Sequence, residues 1–270
     1  MPEAEEADLS DNEEPEWSEG NEQASNLFKG SRRLAYVVDK WITGLYFDLL
    51  KREFELSPRH RSRMVQAVRD CELKLLALKY HVENMKRLDE EFAAEDRKIL
   101  ELSGATEQTS ISIPIDFELE AFLLQARACL EIFCQVVASR CQLSRIKPKK
   151  IAKVLAERPE KFGPQIADHV KYHPFVWRTL QGEEEGNMSL RDWVTHYGGL
   201  MLTGLHSMKG DDGIKYRGPM ISADVPIPAS VFGGILLMDL ERFVKGSLAE
   251  IFDWPIPTKE QFLISEDNLH

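Results

Sequence analysis

Apolar residues return every three or four positions along most of this chain, which is the spacing of an amphipathic helix. Over 31–55, Leu34, Val38, Trp41, Ile42, Leu45 and Leu49 form one such stripe. Ser57-Pro58 then reads as a helix N-cap with proline at the first helical position. From there to about Leu102 a long charged helix is predicted, with Val65, Val68, Leu75, Leu78, Val82, Met85, Leu88 and Phe92 inside and Gly104 as its stop. These two helices should run antiparallel. The stretch 104–115 reads as a linker, and Asp116 as the cap of a helix over roughly 116–141. That helix is apolar around most of its circumference, so it should be central.

Shorter elements follow. KPKKIAKVLAER (147–158) predicts a basic helix ended by Pro159, and 164–182 another helix that Pro174 must kink or split. GEEEGN (182–187) reads as a polar loop. The glycines, prolines and alternating residues of 213–228 predict a loop carrying a small hairpin, with Asp211-Asp212-Gly213 as a turn. A last helix is expected over 229–254, closed by Pro255. The fold class is therefore all-α: an N-terminal long helical hairpin (27–105) and a helical core (106–258) with a small loop or β-hairpin insertion. An acidic tail (1–26) and a short C-terminal tail (259–270) flank them.

Charge sharpens the picture at the N-terminus. The formal net charge is −11, yet residues 1–25 hold ten acids and no Lys or Arg, and the remaining 35 acids nearly balance 34 bases. So few apolar side chains and so much like charge predict disorder there. Such a tail can also compete with an anionic ligand for a basic cleft. No basic-then-apolar leader opens the chain, and unbroken apolar stretches such as Ile235–Met238 are too short to span a bilayer. The expected setting is cytoplasmic, with no membrane partner. Cys71, Cys129, Cys134 and Cys141 show no C-x-x-C spacing and read as small buried hydrophobes in a reducing compartment.

Candidate chemistry concentrates in SLRDWVTHYGG, residues 189–199. Ser189 is a good N-cap, and Asp192 three residues later completes a capping-box-like pair. Arg191 then falls in the first helical turn, where a cation opposes the helix dipole at a cost of roughly 0.3–1 kcal/mol. The same place suits an anion, because free backbone N–H groups and a guanidinium fork both favour phosphate oxygens. His196 lies ~140° around an ideal helix from Arg191, so either the long arginine reaches round or the two converge on a ligand from opposite flanks of a groove. Gly198-Gly199 places that imidazole near the end of the segment, able to titrate near neutral pH.

Arg191-Asp-Trp-Val-Thr-His196 resembles the R-x4–6-H signature of the HEPN superfamily of small helical proteins, many of them ribonucleases. The resemblance covers about 110–255, with FELEAFLLQARACLEIFCQ as the expected upstream helix. Tyr197 stands one residue after the histidine, and Gly198 fills the place where one ribonuclease branch has tyrosine. That branch's partner and tyrosine modification are therefore not carried over. The resemblance implies metal-independent cleavage of single-stranded RNA by attack of the 2′-hydroxyl, with Arg191 and His196 catalytic and Ser189, Asp192 and Tyr197 supporting. It also implies a homodimer that apposes two motifs, no cofactor, a toxin or phage-defence role, and an antitoxin or regulatory protein as partner. The alternative is a non-catalytic helical module that binds a protein or RNA through the same cleft; a third reading is a helical dimer with only an assembly role, associating through helices 31–102.

Other features are weaker. Lys147, Lys149, Lys150 and Lys153 could track an RNA backbone or form a solvated helix end. His169 and His173 are four apart, a metal-ligand spacing, but no H-E-x-x-H or third ligand accompanies them. From the family's architecture, Glu118, Glu120 and Arg127 could orient the site. Neither a glycine-rich phosphate loop nor a Ser/His/Asp pattern stands out.

Overall fold

The computed structural model describes residues 40–110, 113–158, 160–181, 205–210, 213–217 and 227–255, all within the compact unit Asp39–His270. The acidic tail and the first turns of the predicted 31–55 helix lie outside these residues. The described residues are predominantly helical, as the apolar periodicity predicts.

Helix α1 (Lys40–Lys51) buries Trp41, Ile42, Leu45 and Leu49, the last four of the six positions in its predicted stripe. Helix α2 (Pro58–Ser103) begins where local chemistry says it should. Ser57 accepts a hydrogen bond from the backbone N–H of His60, Pro58 opens the helix, and Gly104 ends it in the left-handed region at φ 69°. Only glycine takes that conformation without strain. Thr43 bonds to Glu72 (2.6 Å) and Arg61 to the carbonyl of Leu50 (3.0 Å), so α1 runs antiparallel to α2.

Part of the 104–115 linker is a strand, which the sequence reading did not anticipate. β1 (Glu107–Ser110) pairs antiparallel with β2 (Leu205–Gly210), and β2 pairs with β3 (Gly213–Arg217). The hairpin therefore starts eight residues before the predicted 213–228 segment, and β1 makes it a three-stranded sheet in the order β1-β2-β3. The sheet is fixed to the far end of α2, where buried Ser207 donates to buried Asp96 (2.7 Å).

Helix α3 (Ile113–Arg140) is central. It buries Leu119, Phe122, Leu123, Ala126, Cys129, Leu130, Phe133, Val136 and Val137. By length and composition it is the one described helix apolar enough to cross a membrane, with mean hydropathy 1.5 over its best window. Here 56% of that window is buried inside the fold, while Phe117 and Leu124 of the same helix stay exposed. The predicted basic helix is shorter than 147–158: a 3-10 turn (Pro148–Lys150) leads into α4 (Ile151–Ala156). Pro174 splits the next element as expected, giving α5 (Phe162–Tyr172) and α6 (Pro174–Gln181). Helix α7 (Ala229–Phe252) crosses beneath α2 and α3 and contributes Leu236, Leu240, Phe243, Val244 and Leu248 to the shared core. Its end is tied to α1. Arg52 donates to the carbonyl of Phe252 (2.6 Å) and Trp41 Nε1 to that of Pro255 (2.8 Å).

All four cysteines are free and buried. Burial pushes the Cys134 thiol up to about 12 and Cys141 to about 11, so both stay protonated and chemically quiet.

Asp116 does not cap α3, because the helix opens three residues earlier. It sits in the first turn, with one carboxyl oxygen that has no hydrogen-bond partner among the described residues. Desolvation, then the neighbouring Glu120, raise it from 3.8 to about 6. The folded state thus holds this proton more tightly than the unfolded chain. Its stabilising contribution is complete below the unfolded value and is lost as pH rises through the folded one. Urea denaturation between pH 4 and 7 should therefore show Asp116→Asn gaining stability over wild type as pH rises. A constant difference across that window would contradict the assignment.

Candidate functional site

Ser189, Arg191, Asp192, His196 and Tyr197 all lie outside the described residues, as does the polar loop before them. The structure describes the frame on either side: α6, which ends at Gln181, and β2, which begins at Leu205. α6 is held to α3 by Arg127, whose Nη1 donates to the carbonyl of Leu180 (3.1 Å) while its Nε pairs with Glu131 (3.0 Å). The last described helical turn before the motif segment is thus anchored on the central helix.

Glu118 does not share that position. It accepts from Asn84 (3.1 Å) and pairs with His81 (2.6 Å), both on α2. Nine residues along a helix is ~180° of rotation, which puts Glu118 and Arg127 on opposite sides of α3. Arg127 thus reaches the end of α6 while Glu118 faces α2; the segment that Glu118, Glu120 and Arg127 were expected to orient lies outside the described residues.

The layer beneath holds a polar seam along α7 that sequence reading missed. His173 pairs with Asp239 (2.6 Å) and stands edge-on to Phe243, and His169 bonds to Ser247 (3.2 Å). Both histidines of the metal-like spacing face α7, but each ring is committed to a different partner. Among the described residues no three ligating side chains converge. Burial first, then His173, lower the His169 pKa against the pull of Glu250, so this imidazole favours its neutral form. On the other side of α7, facing α2, Lys245 is fully buried with Nζ 2.6 Å from Glu241, which also lies 3.3 Å from Lys79. The Lys245 contact is an ion pair rather than a well-directed hydrogen bond. Glu241 and Lys245 are four apart, an arrangement legible in sequence as a surface pair; that it is interior is not.

Two further polar groups face inward on α6. Gln181 is 3% exposed, and among the described residues neither its amide nitrogen nor its oxygen has a hydrogen-bond partner; Trp177 Nε1 is likewise unpaired among them. Such groups cost stability unless water or another partner meets them.

The basic cluster turns its charge outward. Lys147, Lys149, Lys150 and Lys153 are all exposed, while Ile146, Pro148, Ile151 and Leu155 anchor the same segment in the core. Buried apolar positions thus alternate with outward ammonium groups. A cleft of about 340 Å³ at the end of the bundle is a poor polyanion site, because Glu160, Glu250 and Asp253 outnumber Arg140 and Lys161 in its lining.

No family model matches the chain, and searches for similar proteins and for similar solved structures find no match.

Proposed function

We propose that this protein is a HEPN-type, metal-independent endoribonuclease acting on single-stranded RNA in the cytoplasm. The observation that carries the reading is the pairing of Arg191 and His196 across five positions, behind a Ser189 cap and ahead of Gly198-Gly199. The setting supports it. The segment follows a long, largely buried apolar helix (α3), is preceded by a short helix anchored to it, and is followed by another core helix (α7). Arg191 holds and neutralises the phosphorane oxygens, where preorganised charge counts most. His196 moves the proton, and Ser189, Asp192 and Tyr197 support the segment.

In-line cleavage uses a base and an acid, and each chain supplies one histidine. A twofold dimer that apposes two motifs completes the site. No cofactor takes part. A toxin or phage-defence role follows from the same resemblance, with growth arrest on expression and an antitoxin or regulatory protein as partner.

The test is digestion of unstructured RNA in the presence of a chelator by wild type, Arg191→Ala and His196→Ala. Cleavage by wild type alone supports the reading. Equal cleavage by all three overturns it, and RNA binding without cleavage by any of them moves the protein to the non-catalytic alternative.

In this reading the four exposed lysines track the RNA backbone. Changing Lys147, Lys149, Lys150 and Lys153 to alanine together should weaken RNA binding uniformly across sequences. It should also flatten the log–log salt dependence by up to about 3, at ~0.7 per lost phosphate contact on a single strand. An unchanged slope would remove these lysines from the interface.

A further inference from the structure

We propose that the cleft at the end of the bundle binds a free amino acid, with Arg140 gripping its carboxylate and Glu250 and Asp253 holding its ammonium group. The inference is independent of the Arg191/His196 reading, because it uses neither that segment nor the lysine cluster. Three elements meet at this cleft. Arg140 is the last residue of α3, Phe162 and Gln165 lie in the first turn of α5, and Glu250 and Asp253 stand at the end of α7. Its volume of about 340 Å³ is at the lower end for ligand cavities, so the occupant is small.

Arg140 is placed to hold an anion. Its guanidinium lies 5.8 Å from the ring centroid of Phe54 and 5.8 Å from that of Phe162. Contacts with aromatic faces hold a guanidinium in place without using its N–H edge. Among the described residues its Nε has no hydrogen-bond partner and no carboxylate pairs with it. Gln165 Oε1, in the same lining, is likewise unpaired among them. Polar groups in this condition cost stability until something meets them, and a planar fork with unmade bonds matches a carboxylate.

The wall supplied by α7 is anionic. This helix has no base in its last turn and ends in Glu250 and Asp253, against the preference of a helix C-terminus for cations. Asp253 caps it in the left-handed region at φ 50°, where glycine is usual; strain of this kind gathers at ligand sites. Glu250 pulls on His169, but neither carboxylate has an ion pair among the described residues. The third acid of the lining, Glu160, is already neutralised, because Arg158 grips it through two hydrogen bonds (3.1 and 2.8 Å). What remains is Arg140 and exposed Lys161 against Glu250 and Asp253, so the uncommitted charges cancel. A neutral ligand with separated charges satisfies both walls. A phosphate ester brings a second negative charge toward the two acids, whereas a carboxylate brings one.

Thermal unfolding of the full-length chain tests this, with each of the common amino acids added singly at about 10 mM and acetate, methylammonium and inorganic phosphate as one-ended probes. At least one amino acid should raise the melting temperature where no one-ended probe does. Calorimetric titration with that amino acid should then give a Kd that rises at least about tenfold in Arg140→Gln and in Glu250→Gln. Arg140→Lys keeps the charge without the fork and should fall between. Glu91→Gln, an exposed carboxylate on α2 outside the cleft, should bind as wild type does. Should Arg140→Gln or Glu250→Gln fail to fold by circular dichroism, Asp253→Asn takes its place. No shift with any amino acid, an equal shift with acetate or phosphate, or folded cleft variants that bind like wild type overturns the proposal.

Discussion

Glu241→Ala should lower the folding stability by about 3–5 kcal/mol, the cost of breaking a buried pair from one side. Lys245 is 0% exposed and its ammonium lies 2.6 Å from the Glu241 carboxylate, which is itself only 13% exposed. The same carboxylate stands 3.3 Å from Lys79, so its removal also leaves two ammonium groups near each other without the charge between them. Salt screens such a buried site weakly, so high ionic strength should not rescue the variant. The sign reverses when both partners go. Glu241→Leu with Lys245→Met replaces the pair by apolar volume and should recover most of the loss, because neither charge then needs solvation. Urea midpoints of the two variants decide the matter. A loss below about 1 kcal/mol for Glu241→Ala would mean that this pair does not hold α7 in place.

The second large effect is catalytic. His196→Ala should slow RNA cleavage by ~10²–10⁴-fold, the usual worth of a positioned acid–base group. Arg191→Ala should cost a comparable factor, since charge aimed at the developing phosphorane is used only in the transition state. Arg191→Lys keeps the charge but loses the planar fork, so it should fall between. Two groups acting on one step are not additive, and the double variant should be little slower than the worse single. Melting temperatures near wild type would place these losses in chemistry rather than folding. Full-rate cleavage by His196→Ala would remove the histidine from the reaction.

Local chemistry made most of the helices legible. Ser57-Pro58 and Gly104 bound α2 because an N-cap, a proline and a left-handed glycine act within a few residues of their own position. Pro174 splits α5 from α6 for the same kind of reason. The unbroken apolar circumference of α3 announced its central place. The sheet was harder. β1 is EQTS, four residues with no apolar alternation, and it is a strand because Leu205–Gly210 lies beside it. Pairing across that distance leaves no local trace. The seam on α7 was hidden similarly, since His173 meets Asp239 66 positions away and Lys245 looks like any solvated i,i+4 cation until its burial is known. The motif segment was visible as a pattern of residue types, and its frame is now described through Arg127 and the end of α6.

The most direct test of the central claim is the chemistry at the cut ends of a short RNA digested by the purified chain with excess chelator. Attack by the neighbouring 2′-hydroxyl leaves a 2′,3′-cyclic phosphate on one fragment and a 5′-hydroxyl on the other, and wild type should give both. Fragments carrying 5′-phosphates, cleavage that ceases when divalent metal is removed, or intact RNA would contradict the account.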